Sequence, residues 1–199
     1  MATVALGMYV VFLTGAFAGR VWLQYRRTKD HGVRVHPGQA GFIERIAMLF
    51  LLLGGIFAGA APLAELFGLV AQSRSPAGAG LAGLVLVVSG FIGTIVAQLQ
   101  MGDSWRIGVD QHETAPLVTV GLFGHVRNPI FSALLLAAVG LLLMVPNVLS
   151  AMALASTFLG IEIQVRRVEE PYLTRVHENR YLLYARRVGR FFPRIGCLS

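Results

Sequence analysis

The chain has 199 residues, of which 55% are hydrophobic and 14% are charged, and its mean hydropathy is +0.66. Soluble globular proteins carry about 25% charged residues, so this composition argues against a soluble protein. The formal net charge is +7, but most of the chain is apolar rather than a basic domain, which argues against nucleic-acid binding. A single cysteine, Cys197, excludes an internal disulfide framework and a multi-cysteine zinc site.

Long apolar stretches predict membrane-spanning helices, since a span needs about 20 apolar residues. The expected helices cover about residues 3–25, 42–70, 81–100, 129–145 and 148–164. The last two come from one apolar run, 128–161, which as a single helix would be about 50 Å long and would exceed the hydrocarbon core of about 30 Å. Pro146 and Asn147 lie midway and are typical of a turn, so this run is predicted to form a hairpin.

The first apolar stretch is interpreted as a retained helix rather than a signal peptide, because no charge precedes Arg20. Arg20 lies near the end of this helix, where its long side chain is expected to snorkel to the membrane surface.

The distribution of basic residues predicts the orientation. Arg and Lys are concentrated in the loop after the first helix, in the loop 102–126 and in the tail after residue 165, whereas the loop near Arg74 and the turn at Pro146 are poor in them. Basic loops stay in the cytoplasm, so we expect a multi-pass integral membrane protein of a bacterial inner membrane, with its N-terminus outside and its C-terminus inside. Anionic lipid head groups are the expected partners of the basic face.

Arg127, Asn128 and Pro129 stand between a polar loop and the long apolar run. Proline is favoured at the first helical position and asparagine before it is a good N-cap, so these residues predict the start of a helix. Free backbone N–H groups and the positive end of the helix dipole gather at such a point. The simpler interpretation is a membrane helix with an ordinary cap and an interfacial arginine.

Glu169 and Glu170 follow the last expected span. Acidic residues near a membrane are costly to hold and are therefore functional candidates. The alternative is a solvated pair that Arg166 and Arg167 neutralise.

An amphipathic helix is predicted in the tail. Leu173, Val176, Tyr181 and Tyr184 are spaced for one face of it. Such a helix could lie on anionic lipid, or it could close over a site, and both could hold.

Taken in order, these motifs resemble those of the isoprenylcysteine carboxyl methyltransferases and the related phospholipid N-methyltransferases. The matching pieces are Leu117-Val118-Thr119-Val120-Gly121-Leu122-Phe123, Arg127-Asn128-Pro129-Ile130-Phe131, Glu169-Glu170, Tyr181-Leu182-Leu183-Tyr184 and Pro193. The resemblance covers about residues 101–193. It implies an all-α polytopic membrane enzyme with about five transmembrane helices, in which a C-terminal amphipathic helix caps a cytoplasmic-side cofactor pocket. It also implies two regions, 1–100 with the first three spans and 101–199 with the methyltransferase-like cofactor-binding part.

The resemblance implies S-adenosylmethionine as methyl donor and S-adenosylhomocysteine as product. By position, Glu169 would contact the amino group of the donor, and Glu170 would act beside it at the catalytic centre. The family has an arginine one helical turn before the acid pair, near the substrate carboxylate. Val165 stands at that position here, so the catalytic role passes to Arg166, the nearest arginine. The other implied cofactor contacts are Asp110, Leu117, Val118, Phe123, Asn128, Pro129 and Phe131.

Three positions depart from the family pattern. Asn128 stands where histidine is usual, and Phe123 and Phe131 replace tyrosines. An amide keeps its hydrogen bonds but does not titrate near neutral pH, so Asn128 is expected to bind rather than to transfer protons. His112 and His125 have no partners at metal-ligand spacing, and no metal site is expected.

The predicted function is methyl transfer to a lipid or lipophilic small molecule at a carboxyl, amine or hydroxyl group. Two alternatives stay open. One is a membrane reductase of similar helical architecture that uses a dinucleotide, and the other is a lipid-binding membrane protein without activity. Titration with S-adenosylhomocysteine and with a reduced nicotinamide distinguishes the methyltransferase from the reductase. Donor binding without turnover favours the inactive lipid-binding protein.

Overall fold

The computed structural model describes residues 1–32, 41–70, 76–106, 108 and 116–198. Within these ranges the chain is helical and contains no β-strand beyond isolated bridges. The α-helices are α1 (Ala2–Phe12), α2 (Arg20–Thr28), α3 (Phe42–Leu66), α4 (Ala79–Met101), α5 (Pro129–Met144), α6 (Val148–Ile163) and α7 (Glu170–Arg187). Two π-helical segments, Leu13–Gly19 and Gln164–Glu169, join α1 to α2 and α6 to α7, and short 3-10 turns cover Gly102–Ser104 and Gly121–Gly124. The all-α prediction is confirmed.

Four stretches of the described chain are long and apolar enough to cross a membrane: Ala2–Thr28, Phe42–Leu66, Ala79–Ser104 and Val148–Arg187. The remaining apolar helix, α5, has 16 residues and is therefore about 24 Å long, which is shorter than the hydrocarbon core of about 30 Å. The chain is an integral membrane protein whose helices agree approximately with the five that were predicted.

The helices pack as two close pairs, α4 along α5 and α3 along α6. Gly83 and Gly140 meet where α4 crosses α5. A Cβ on Gly83 would lie 2.5 Å from the carbonyl oxygen of Gly140, and one on Gly140 would lie 2.6 Å from that of Gly83. Because any side chain here would collide with backbone, glycine at both positions sets the close approach of the two helices.

The predicted hairpin between α5 and α6 is confirmed. Asn147 is the N-cap of α6, where its Oδ1 accepts from the Ser150 backbone N–H at 3.0 Å, while Ser150 Oγ accepts from the Asn147 backbone N–H at 3.1 Å. Asn147 Nδ2 also donates to the carbonyl oxygen of Ala61 at 3.0 Å. This reciprocal cap ends the hairpin turn and ties it to α3.

The helix after the hairpin differs from the prediction. Instead of stopping near residue 164, α6 continues through the π-helical segment into α7, so that one helical stretch covers Val148–Arg187. The backbone bends inside α7 at Glu178, which has φ 46° and ψ −126°. Residues 173 and 176 precede this bend and residues 181 and 184 follow it, so the expected continuous amphipathic face is interrupted.

The tail after α7 returns to the start of α5. The backbone N–H of Arg127 donates to the carbonyl oxygen of Gly189 at 2.8 Å, and that of Asn128 donates to the carbonyl oxygen of Arg190 at 3.2 Å. Ser132 Oγ donates to the carbonyl oxygen of Phe191 at 2.8 Å. These bonds hold the tail against the predicted site.

Candidate functional site

A cavity of about 750 Å³ lies between the helices and follows α5 along its whole length, since both Pro129 and Met144 line it. Near Pro129 its wall is polar, and near Met144 it is apolar. The polar wall includes Arg127, Asn128, Gln164, Glu169 and Glu170, and Gln98, Ser104 and Arg106 also line the cavity. The apolar part includes Tyr9, Phe12, Met48, Leu51, Leu141 and Met144. A chamber with one polar end and one apolar end suits an amphiphilic ligand, and its volume lies within the usual range of about 300–1,000 Å³.

Most of the residues that the sequence predicts for the site line this cavity. They are Leu117, Val118, Phe123, Asn128, Pro129, Phe131, Glu169 and Glu170. Asp110 lies outside the described residues. The structure does not bring Arg166 to the cavity, because its side chain is 53% exposed and forms an ion pair with Glu162. The lining also includes residues of the first 100, such as Tyr9 and Phe12, so the cavity is not confined to region 101–199.

Both carboxylate oxygens of Glu170 are occupied. Its Oε1 accepts from Arg127 Nη2 at 2.8 Å and from Arg190 Nε at 2.7 Å, and its Oε2 accepts from Arg190 Nη2 at 3.0 Å. The carboxylate raises the pKa of Arg190 above its usual value, so this guanidinium stays charged. Glu170 therefore joins α7 to the start of α5 and to the tail.

Arg127 belongs to a motif that the sequence analysis singled out, but no role in the site was predicted for it. Its Nη1 donates to the carbonyl oxygens of Ala185 at 2.8 Å and Val188 at 2.7 Å. Its Nη2 also donates to the carbonyl oxygen of Gly196 at 3.1 Å. An arginine with several donors can satisfy the last carbonyls of a helix, and here it does so for α7. The interpretation as an ordinary interfacial arginine misses this role, since the partners lie at least 43 residues away in the chain.

Asn128 occupies the N-cap position of α5 but its side chain makes no capping bond. Instead, Nδ2 donates to the carbonyl oxygen of Arg190 at 3.2 Å. The predicted start of the helix at Pro129 is confirmed, whereas the predicted capping by the side chain is wrong. The side-chain amide is hydrogen-bonded to the tail after α7, and the local sequence does not reveal this partner.

Glu169 differs from its neighbour in having few partners. Its Oε1 accepts from Gln164 Nε2 at 3.3 Å, and the described residues form no ion pair with it. Gln164 is buried, and its Oε1 has no hydrogen-bond partner in the described part of the chain. Two polar groups on one turn of the π-helical segment therefore face the cavity with unused acceptor capacity, which suits a cationic ligand group.

Aromatic rings cover the polar end of the cavity. Phe123, Phe131, Tyr172, Tyr181 and Tyr184 line it, and of these the sequence analysis did not single out Tyr172. Tyr184 Oη donates to the carbonyl oxygen of Phe123 at 2.5 Å, which fixes the 3-10 turn against α7. Ring faces beside a carboxylate favour an organic cation.

Comparison with known proteins shows which family the chain resembles. A family model described as phospholipid methyltransferase matches residues 79–180, about half of the chain. The chain belongs to the phospholipid methyltransferase family. The matched region contains the five residues of the polar wall named above, from Arg127 to Glu170.

The chain is also 32% identical over 113 residues to the protein-S-isoprenylcysteine O-methyltransferase B of Arabidopsis thaliana. The match covers 56% of this chain and 57% of that relative, so the chain spans little more than half the length of the relative it matches.

Among the described residues of this family member, no cluster of three His, Cys, Asp or Glu side chains is placed to hold a metal ion. The polar wall described above instead holds two carboxylates, two amides and an arginine. The acceptor capacity left on Glu169 and Gln164 fits an organic ligand that carries an amino group.

Proposed function

We propose that this protein is a methyltransferase that uses S-adenosylmethionine and acts on a lipid or a lipophilic small molecule. The observation that carries the proposal is one cavity whose polar end offers unpaired acceptors and whose other end continues among apolar side chains inside a membrane protein. The proposal is supported by membership of the phospholipid methyltransferase family and by the relative named as an O-methyltransferase.

The polar end would hold the donor. Glu169 would pair with its amino group, and Gln164 Oε1, which has no partner among the described residues, would accept a further N–H. Asn128, Leu117 and Val118 would contact the rest of the molecule. S-adenosylmethionine, when bound, supplies an electrophilic methyl group on a sulfonium, and the faces of Phe123 and Phe131 would stabilise that positive charge.

The apolar end would hold the acceptor, which would enter sideways from the membrane. Apolar walls exclude water and align the two reactants, which are the main requirements of this displacement. A carboxylate acceptor needs no base, whereas an amine or hydroxyl must lose a proton. Asn128 cannot take that proton near neutral pH, so a carboxylate acceptor makes the smallest demand on these residues.

Glu170 is proposed as a positioning residue rather than a group that touches the reactants, because Arg127 and Arg190 already occupy both of its oxygens. The role of Asp110 at the donor and that of Arg166 at the acceptor carboxylate stay predictions, as does the division at residue 100. We further propose that the C-terminus is cytoplasmic in a bacterial inner membrane, with the basic face on anionic head groups.

The decisive experiment is isothermal titration of the purified protein with S-adenosylhomocysteine and, separately, with reduced nicotinamide dinucleotide. Incubation with labelled S-adenosylmethionine and a total lipid extract then tests turnover. We expect binding of S-adenosylhomocysteine and a labelled lipid-soluble product. Binding of the dinucleotide alone would favour the reductase, and donor binding without any labelled product would favour the inactive lipid-binding protein.

A further inference from the structure

A second polar cluster lies away from the acid pair, where the end of the first π-helical segment and α2 meet α4. Its members are Arg20, Gln24 and Gln98, and each is only 3% exposed. The sequence predicted that Arg20 would snorkel to the membrane surface. The structure overturns this, because the side chain turns inward and its guanidinium lies 4.8 Å from the ring centre of Trp105.

The hydrogen bonds of Arg20 are incomplete. Its Nη2 donates to the carbonyl oxygens of Gly102 at 2.5 Å and Gln98 at 3.4 Å. Its Nε and Nη1 are buried and have no hydrogen-bond partner within the residues that the structure describes. Native proteins pair nearly all buried polar groups, so unpaired donors on a buried guanidinium indicate a missing acceptor.

The charge of Arg20 is only partly compensated, by the Trp105 ring and by Asp103. No ion pair involves it among the described residues, although the Asp103 carboxylate is close enough to interact electrostatically and Arg27 opposes it with a like charge. An unpaired charged side chain within a membrane helix is costly in free energy. Such a residue therefore often marks a functional site. The missing acceptor is therefore expected to be an anion.

A small cavity provides the space for such an anion. It has a volume of about 80 Å³, and Arg20 and Gln98 line it together with Gly15, Gly19 and Leu99. Water occupies about 30 Å³ in the liquid, so the space exceeds one water molecule. Gly19 and Leu99 are the exposed residues of this lining and mark the mouth of the cavity.

The side-chain amide of Gln98 also has an unpaired atom, which a ligand would have to satisfy. Its Nε2 donates to the carbonyl oxygen of Ala16 at 2.8 Å, which leaves its buried Oε1 without a donor. Arg20 and Gln98 both line the small cavity, and between them they carry two unpaired donors and one unpaired acceptor. A ligand that satisfies all three atoms carries an anionic oxygen and a nearby O–H or N–H group.

We propose that this cavity binds a phospholipid head group, with its phosphate on Arg20 Nε and Nη1 and its hydroxyl or ammonium on Gln98 Oε1. The mouth lies between two candidate spans, Ala2–Thr28 and Ala79–Ser104, and Leu23, Ile95 and Leu99 around it are apolar. Arg26 and Arg27 in the last turn of α2 place this end at a membrane surface, where head groups lie. The site does not depend on the proposed methyl transfer.

Native mass spectrometry of delipidated protein tests the proposal. We expect one phosphatidylglycerol to bind per chain, more tightly than phosphatidylcholine, which has no O–H or N–H in its head group, and far more tightly than diacylglycerol, which has no phosphate. Arg20→Gln should weaken phosphatidylglycerol binding at least about tenfold, because the charged hydrogen bonds to the phosphate are lost. Arg26→Gln is the matched control, since it removes the same charge from an exposed side chain, and it should change binding less than about twofold.

Leu99→Trp leaves Arg20 in place and narrows the mouth, and it should weaken binding by a similar factor. This variant decides the question if Arg20→Gln does not fold. Binding that is unchanged in either folded variant overturns the site. Soluble glycerol phosphate is the remaining comparison, and if it binds wild type as tightly as the lipid does, the cavity recognises a free anion and the lipid proposal is wrong.

Discussion

Arg127 donates from Nη2 to Glu170 Oε1 over 2.8 Å, and this ion pair joins the start of α5 to the start of α7. The two side chains are 2% and 12% exposed. Arg190 completes the group from the tail at 2.7 Å. One carboxylate thus holds together three parts of the chain that surround the polar end of the cavity. Removing it would leave two arginines close together without their anion.

The first prediction concerns this carboxylate. Glu170→Ala should lower the free energy of unfolding by about 3 kcal/mol, because breaking a buried pair leaves an uncompensated charge. Chemical unfolding in a mild detergent measures the loss. Glu162→Ala is the matched control. Its partner Arg166 is largely exposed, so its loss should cost less than about 1 kcal/mol. Equal effects of the two variants would contradict the role given to Glu170.

The second prediction concerns Glu169. If this carboxylate holds the donor's amino group, Glu169→Ala should weaken S-adenosylhomocysteine binding at least about tenfold, which corresponds to about 1.4 kcal/mol. Glu169→Gln can still accept the hydrogen bond from Gln164 and should fold normally, yet it should lose binding to a similar degree because the charge is gone. Isothermal titration of both variants measures this. Wild-type affinity in the folded glutamine variant would remove Glu169 from the donor site.

The third prediction corrects an expectation for Asn128. If Asn128 capped the helix with its side chain, Asn128→Asp would leave the stability unchanged. Its amide instead donates to the carbonyl oxygen of Arg190. An aspartate has no N–H to donate, so this variant should be destabilised by about 1–2 kcal/mol. Asn128→Ala should lose about 1 kcal/mol together with donor affinity, while Asn128→His should retain binding. Thermal melts and titration in one detergent distinguish these outcomes. An aspartate variant as stable as wild type would restore the capping interpretation.

The fourth prediction concerns orientation. Ala77 is exposed just before α4, in the loop that is expected to face outside, whereas Ser75 of the same loop lies outside the described residues. Ala77→Cys in a Cys197→Ser background should react with an impermeant thiol reagent in intact cells. The native Cys197, which is partly buried, provides the opposite case and should react only after lysis. Reaction of Cys197 in intact cells, together with protection of the thiol introduced by Ala77→Cys, would reverse the topology.

The elements of the fold could be predicted because apolar runs and breakers act locally. The starts of α3 and α5 at Phe42 and Pro129 and the hairpin at Asn147 lie where the sequence placed them. The continuation of α6 into α7 was missed. A charged stretch after an apolar one normally ends a span, whereas here a π-helical segment carries the helix onward.

The site could be predicted in part. Spacing and resemblance brought Glu169, Asn128 and Phe131 to the same cavity. They could not reveal how each side chain is used, as the adjacent acids demonstrate. Glu170 forms ion pairs with two arginines, while Glu169 accepts one hydrogen bond, from Gln164, among the described residues. Which acid meets an arginine depends on the side of the helix that each one faces, and one residue changes that side by about 100°.

The sequence by itself determined that the chain enters a membrane as helices, because burying apolar side chains and satisfying every backbone hydrogen bond within a segment are local requirements. Only the tertiary structure decided what the polar side chains do there. Arg127, Asn128 and Arg20 each met partners from distant parts of the chain. A buried charge or amide is held by whichever groups packing brings within about 3 Å, and that depends on the arrangement of all the helices.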